Sequence, residues 1–262
     1  MKSALFSLLA LTIIVYLCLC AYLYLFQRSF IYFPTPAAES ARAEGLWLDT
    51  GGERIRIWRL HGDRAEAIIY FGGNAEDVAW NIPEFSDLFS GKAVYLVNYR
   101  GYGGSTGSPS ESALYRDAEA IFDFAIAGHR SVSLIGRSLG ASVATHLAVV
   151  RPVERMTLIT PFDSLSSLAR NLYPIFPTSL LLKERHDSMS RAHRIDAPVL
   201  IVVAGRDEII PRENSERLAK ALDPALVTLQ IIDGTMHNTI GTSPEYARVL
   251  DEFMNRERIE RS

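Results

Sequence analysis

Residues 132–147 read VSLIGRSLGASVATHL. Four largely apolar residues run into a Gly-Arg-Ser-Leu-Gly turn, and the turn runs into a stretch with helical character. Ser138 is either a nucleophile raised on a sharp turn or a small residue where a strand gives way to a helix. A G-x-S-x-G pattern is short enough to arise by chance, so the rest of the chain has to decide between the two.

Outward from that turn, apolar runs of strand length alternate with longer helical patterns. Strands are expected at 54–60, 67–71, 93–99, 132–136, 156–160, 198–204 and 227–232. They are rich in Val, Ile and Leu and barely alternate, as strands buried on both faces must be. The alternation predicts an α/β fold: a mostly parallel central sheet covered by helices on both faces. Ser108-Pro109-Ser110-Glu111 reads as a capping box with Pro at the first helical position, and Thr242-Ser243-Pro244-Glu245 offers the same chemistry. One connection breaks the rhythm. Residues 161–196, rich in Leu, Tyr, Phe and Pro, exceed an ordinary connection and suggest a short lid insertion.

The chain has 262 residues, 48% hydrophobic and 22% charged, with a formal net charge of −3. That composition suits one large globular domain with an appendage. Without a Lys/Arg run there is no electrostatic footprint for nucleic acid, so no nucleic-acid partner is expected. The appendage is residues 4–26, ALFSLLALTIIVYLCLCAYLYLF, which contain no charge and are long enough to cross a bilayer. No small-x-small cleavage site follows, so residues 1–28 are read as a retained single-pass anchor and 29–262 as the domain. FQRSFIYFPTP (26–36) carries the aromatic and cationic mix that settles at a bilayer interface. Lys2 and Arg28 nearly balance the positive-inside rule, and the lean is to an extracytoplasmic domain. Both cysteines, Cys18 and Cys20, fall in the apolar stretch. The rest of the chain has no thiol nucleophile and no Cys-based metal site.

In an open α/β sheet, function collects in the loops at the carboxyl ends of the strands. After 67–71 comes Gly72-Gly73-Asn74-Ala75, which could either turn N–H groups toward a developing oxyanion or form a plain turn. The glycine-rich RGYGGSTGSPS (100–110) lacks both the phosphate-loop and the dinucleotide spacing, so it is read as one wall of a site. After 132–136 comes Ser138, with strand before and helix after, and the N–H of Leu139 would be a second oxyanion donor.

A serine hydroxyl needs a base, and the base needs an orienting acid. Of six histidines, His61, His129, His146, His186 and His193 are read as surface or packing residues. His237 is the candidate base, because it lies in a polar loop after the last strand and completes the order Ser, acid, His. Asp207, just past 198–204, is preferred as the acid over Glu208 beside it. Asp163 is read as a helix cap. No H-E-x-x-H occurs and the histidines do not cluster, so neither metal nor cofactor is expected.

The ordered set YFGGNAED, NYRGYGGSTGSPSE, GRSLGAS, PVLIVVAGRDEIIP and GTMHN resembles the α/β-hydrolases, specifically a membrane-anchored abhydrolase-domain and serine-aminopeptidase-like branch. The resemblance spans residues 30–255. It implies the α/β-hydrolase fold, with Ser138 as nucleophile, Asp207 as triad acid, His237 as base, and the backbone N–H groups of Asn74 and Leu139 as oxyanion donors. The family's usual His-Gly-Asn reads Gly72-Gly73-Asn74 here. The expected chemistry is hydrolysis of an ester or thioester, lipid-like substrates included. A peptidase of the same fold and a non-catalytic membrane-anchored scaffold are the alternatives.

Overall fold

The computed structural model describes residues 2–256. Helix α1, Lys2–Ile31, opens the chain. It is long and apolar enough to cross a membrane, and its 18 most apolar consecutive residues are almost entirely exposed. Strands β1 (Glu44–Thr50), β2 (Glu53–Leu60), β3 (Glu66–Phe71), β4 (Ala93–Val97), β5 (Ser131–Arg137), β6 (Met156–Ile159), β7 (Val199–Ala204) and β8 (Val227–Ile232) form one sheet in the order β1-β2-β4-β3-β5-β6-β7-β8. β2 pairs antiparallel with both β1 and β4, and every other pairing is parallel. The seven expected strands are present within two residues at each end.

β1 was not foreseen. EGLWLDT is mostly exposed along an edge, so it carries too little apolar pattern to register as a buried strand.

Helices α2 (Ile82–Leu88), α3 (Glu111–Ile126), α4 (Leu139–Val150), α5 (Leu165–Leu172), α6 (Thr178–Leu181), α7 (Arg212–Ala221) and α8 (Pro244–Met254) fill the connections. Strand pleating sends alternate residues to opposite faces. Ile69 and Phe71 of β3 pack with Phe122 of α3, Val143 of α4 and Leu218 of α7. Ile68 and Tyr70 pack on the other face with Phe85 of α2 and Leu250 of α8. The sheet is thus buried on both sides, as its composition demanded.

Two helix starts differ from expectation. α3 begins at Glu111 and is capped by Ser110, whose Oγ accepts from Ala113 N–H, so Pro109 stays outside the helix rather than opening it. α8 does open on Pro244, but Ser243 rather than Thr242 caps it. In both cases the extended backbone of the nearer serine puts its hydroxyl in reach of the first free N–H groups. α5, in the insertion between β6 and β7, is likewise capped by Ser164 and not by Asp163.

Candidate active site

β5 ends at Arg137 and α4 begins at Leu139, leaving Ser138 alone between them with φ 50° and ψ −110°. A non-glycine residue at positive φ costs on the order of 1–3 kcal/mol, so the surroundings must impose it. They do so from both sides. Ser138 N–H donates to Ile159 O of β6 at 2.8 Å. A Cβ on Gly140 would fall 2.0 Å from Phe71 O, and one on Gly136 would fall 2.4 Å from Gly140 O. The two glycines let α4 press against the end of β3, and the residue between them has to turn sharply outward. Leu139 opens α4, so its N–H has no carbonyl within the helix to bond.

The loop after β3 lies against this turn: a Cβ on Gly73 would sit 3.8 Å from Ser138 Cβ. The space beside Gly72, where the family's usual histidine would place its side chain, is filled, with Val78 Cγ1 2.7 Å and Glu76 Cδ 3.3 Å from a built Cβ. The Asn74 side chain is taken up by other partners. Its Nδ2 donates to Ile31 O at 2.6 Å, and its Oδ1 accepts from Phe33 N–H and Tyr102 O–H. Only the Asn74 backbone is left for other work.

His237 and Asp207 come together from the loops after β8 and β7. His237 Nδ1 lies 2.8 Å from Asp207 Oδ2, and both side chains are almost wholly buried. Asp207 Oδ1 accepts from Ile209 and Ile210 N–H at 2.9 and 2.7 Å, which fixes the carboxylate's orientation. Glu208 serves the backbone instead, accepting from His237 N–H at 3.1 Å. With a carboxylate at Nδ1, that nitrogen carries the ring proton and Nε2 is free to accept one. Ser138 Oγ makes no hydrogen bond among the described residues. Asp163 lies apart from this pair, held by Ser164 N–H, Asn214 and Arg217.

Two charged residues at the centre of this arrangement were given no role by the sequence reading. Glu76 accepts from Gly73 N–H (2.6 Å), Tyr70 O–H (2.5 Å), Asn81 Nδ2 (2.7 Å) and Arg137 Nη1 (3.1 Å). Arg137 Nη2 donates to His237 O at 3.1 Å. Burial works against the Arg137 charge, but Glu76 opposes that effect and the guanidinium is held above its ordinary pKa. The pair ties together the loops after β3, β5 and β8. Glu76 lies within YFGGNAED and Arg137 within GRSLGAS, both stretches that carry the family resemblance.

His186 was read as a packing residue and is one, though a polar one. It is fully buried, within 2.8 Å of Tyr32 Oη through Nε2 and 2.7 Å of Ser142 Oγ through Nδ1. Tyr32 donates to Glu184 Oε2, which also accepts from the Glu111 N–H that begins α3. Burial pushes the His186 ring down to about 4, with Glu111 and Glu184 only partly opposing it. Of the other histidines, His129 is buried against Tyr95, His146 stacks on Tyr115, His61 bonds Ser86 O and His193 is exposed. Among the described residues no group of His, Cys, Asp and Glu is placed to hold a metal ion.

A mostly parallel eight-stranded sheet, with a strained serine turn after its fifth strand and an acid–histidine pair after its seventh and eighth, defines the α/β-hydrolase class. The chain belongs to the alpha/beta hydrolase family: residues 60–191 match that family's model, and residues 178–243 match the model of serine aminopeptidase, S33. An uncharacterised protein of Mycobacterium tuberculosis is 36% identical over 229 residues, covering 81% of this chain and 80% of that one. The lysophosphatidylserine lipase ABHD12 of Xenopus tropicalis is 30% identical over 245 residues, covering 80% of this chain but only 63% of the lipase. Among solved structures, the Pyrococcus furiosus esterase Pf2001 superposes with a TM-score of 0.71 at 17% identity, covering 86% of this chain and 99% of the esterase, a likeness of fold alone.

Proposed function

We propose that this chain is a membrane-anchored serine hydrolase that cleaves a carboxylic ester or thioester. Residues 1–28 form the anchor, and 29–262 form the hydrolase domain with a lid at about 161–196. The observation that carries the reading is the buried 2.8 Å contact between His237 Nδ1 and Asp207 Oδ2, at the sheet edge where Ser138 stands on a strained turn.

In this reading His237 Nε2 takes the Ser138 proton as Oγ bonds to the acyl carbon. The carbonyl π electrons move to oxygen, where the N–H groups of Asn74 and Leu139 receive the charge. His237 then returns its proton to the leaving oxygen or sulfur as that bond breaks. A water molecule repeats the sequence on the acyl-enzyme, releasing a carboxylic acid and restoring Ser138. Asp207 holds the imidazole tautomer and steadies the imidazolium.

The lipase name of the ABHD12 relative and the uncharged run at residues 171–182 favour a lipid-like acyl substrate. A serine peptidase is the second reading, favoured by the match of residues 178–243 to the serine aminopeptidase model. A fluorophosphonate probe tests the first step. Wild type labels and Ser138→Ala does not, whereas a folded wild type that stays unlabelled overturns the hydrolase reading in favour of a scaffold. Turnover of acyl esters and thioesters against aminoacyl amides then separates esterase from peptidase.

A further inference from the structure

Part of the segment between α5 and the short helical turn at Met189–Arg194 lies along the side of α1. Arg28 Nε pairs with Glu184 Oε1 at 2.7 Å. One residue earlier, Gln27 accepts from Lys183 and Glu184 N–H and donates to Leu181 O. Lys183 Nζ sits 3.9 Å from the centroid of the Tyr24 ring. Further toward the N-terminus, Tyr16 O–H donates to Ile175 O at 2.8 Å, and the Tyr16 and Phe176 rings stack 5.9 Å apart.

The order of these contacts is a polarity gradient. The charged pairs lie at the Arg28 end, and residues 171–182, NLYPIFPTSLLL, carry no charge at all. A helix rises about 1.5 Å per residue, so Tyr16 lies roughly 18 Å along the axis from Arg28. With Arg28 at the polar boundary, that depth is near the middle of a hydrocarbon layer about 30 Å thick. The large exposed side chains of this tip are apolar, with Ile175 73% and Leu180 80% exposed and Leu172 and Tyr173 also facing outward, and Ser179 adds an exposed hydroxyl. A tyrosine hydroxyl in hydrocarbon needs an internal acceptor, and the tip supplies one at Ile175 O.

We infer that residues 172–181 are immersed in the acyl region of the bilayer beside α1, so the partner of this apolar surface is lipid hydrocarbon. The inference rests on reading α1 as a membrane span. α5 continues from the immersed tip toward the sheet, where Leu168 packs with Phe162 and Ile210. Ile210 N–H is one of the two that hold Asp207, so α5 connects the base of the tip to the loop that carries the acid.

Collision of a nitroxide with oxygen and with a water-soluble nickel chelate tests this. The full chain with Cys18→Ser and Cys20→Ala is reconstituted in phosphatidylcholine vesicles and labelled singly at Ile175→Cys, Leu180→Cys, Leu9→Cys or Asp63→Cys. The expected oxygen-to-nickel collision ratio at 175 and 180 is lipid-like, as at Leu9 on the exposed face of α1, and exceeds that at Asp63 several-fold. If 9 reports lipid while 175 and 180 match 63, the immersed tip is overturned and the anchor stands. Low collision with both reagents at 175 and 180 means that protein covers the tip, by a second copy or by the domain itself, and also overturns the proposal. A water-like ratio at 9 overturns the anchor reading, and this inference with it.

Discussion

Arg137 Nη2 donates to the His237 carbonyl at 3.1 Å, so the residue before Ser138 is bonded directly to the backbone of the candidate base. Three loops that approach the site from different strands depend on this guanidinium and its partner Glu76. Removing one member of such a buried pair leaves an uncompensated charge, which costs about 3–5 kcal/mol. Arg137→Met should therefore destabilise by that amount, and Glu76→Gln placed in the same chain should restore part of it. A double-mutant cycle read by urea denaturation should give a coupling of about 1–3 kcal/mol. Additive single losses would mean that the pair holds nothing in common.

Asp207 holds the imidazole and Glu208 holds only the His237 N–H, so their amides should behave differently. Asp207→Asn favours the wrong tautomer and should lower kcat on a p-nitrophenyl ester by on the order of 10³–10⁴-fold. Glu208→Gln should lose less than about tenfold, the scale of a single hydrogen bond of about 1 kcal/mol. Circular dichroism confirms the fold of each variant, and equal losses would remove the distinction.

Gly140→Ala should be poorly tolerated, because its methyl meets the Phe71 carbonyl at 2.0 Å, a backbone atom that cannot swing away. The expected loss exceeds about 3 kcal/mol, the upper end of overpacking. Gly234 has φ +76° but nothing within 4 Å of a built Cβ, so Gly234→Ala should cost only about 1–2 kcal/mol from the backbone. Urea midpoints of the two variants give the comparison.

His186 makes stability depend on acidity. Its folded pKa of about 4 lies below the ordinary value of 6.5, so the unfolded chain binds more protons between those limits. The stability this neutral, buried ring contributes is complete above pH 6.5, falls as pH drops toward 4, and is lost below it. The total is roughly 3 kcal/mol. His186→Asn accepts the residue's positive φ of 42° and removes the titration. The difference in unfolding free energy between wild type and variant should shrink from pH 7 to pH 4.5; a constant difference would deny the ring this role.

The sheet was legible because strands buried on both faces spell themselves out as apolar runs, and the loops carrying Ser138, Asp207 and His237 follow directly from the strand order. β1 was not, because its residues face solvent and the edge needs no continuous apolar run. Glu76 and Arg137 are 61 residues apart and belong to no periodic pattern, so only the folded chain brings them to 3.1 Å. His186 resembled any histidine in a loop until its ring was seen between Tyr32 and Ser142. The descent of residues 172–181 along α1 joins positions about 150 residues apart and left no local trace.

The grip of Asn74 on Ile31 and Phe33, and of Glu184 on Arg28 and Tyr32, means that α1 is not a leash. A flexible tether would let the domain tumble over the membrane. This junction sets one attitude instead, with the carboxyl edge of the sheet at a constant angle to the axis of α1. A chain cut after residue 33 would lose both clamps, and a foreign helix spliced on through a floppy joint would not restore them. On the proposed reading of α1 as a membrane span and of the substrate as lipid-like, the quantity that governs encounter becomes the substrate's mole fraction in one leaflet, met by diffusion in a plane, rather than its concentration in the surrounding water.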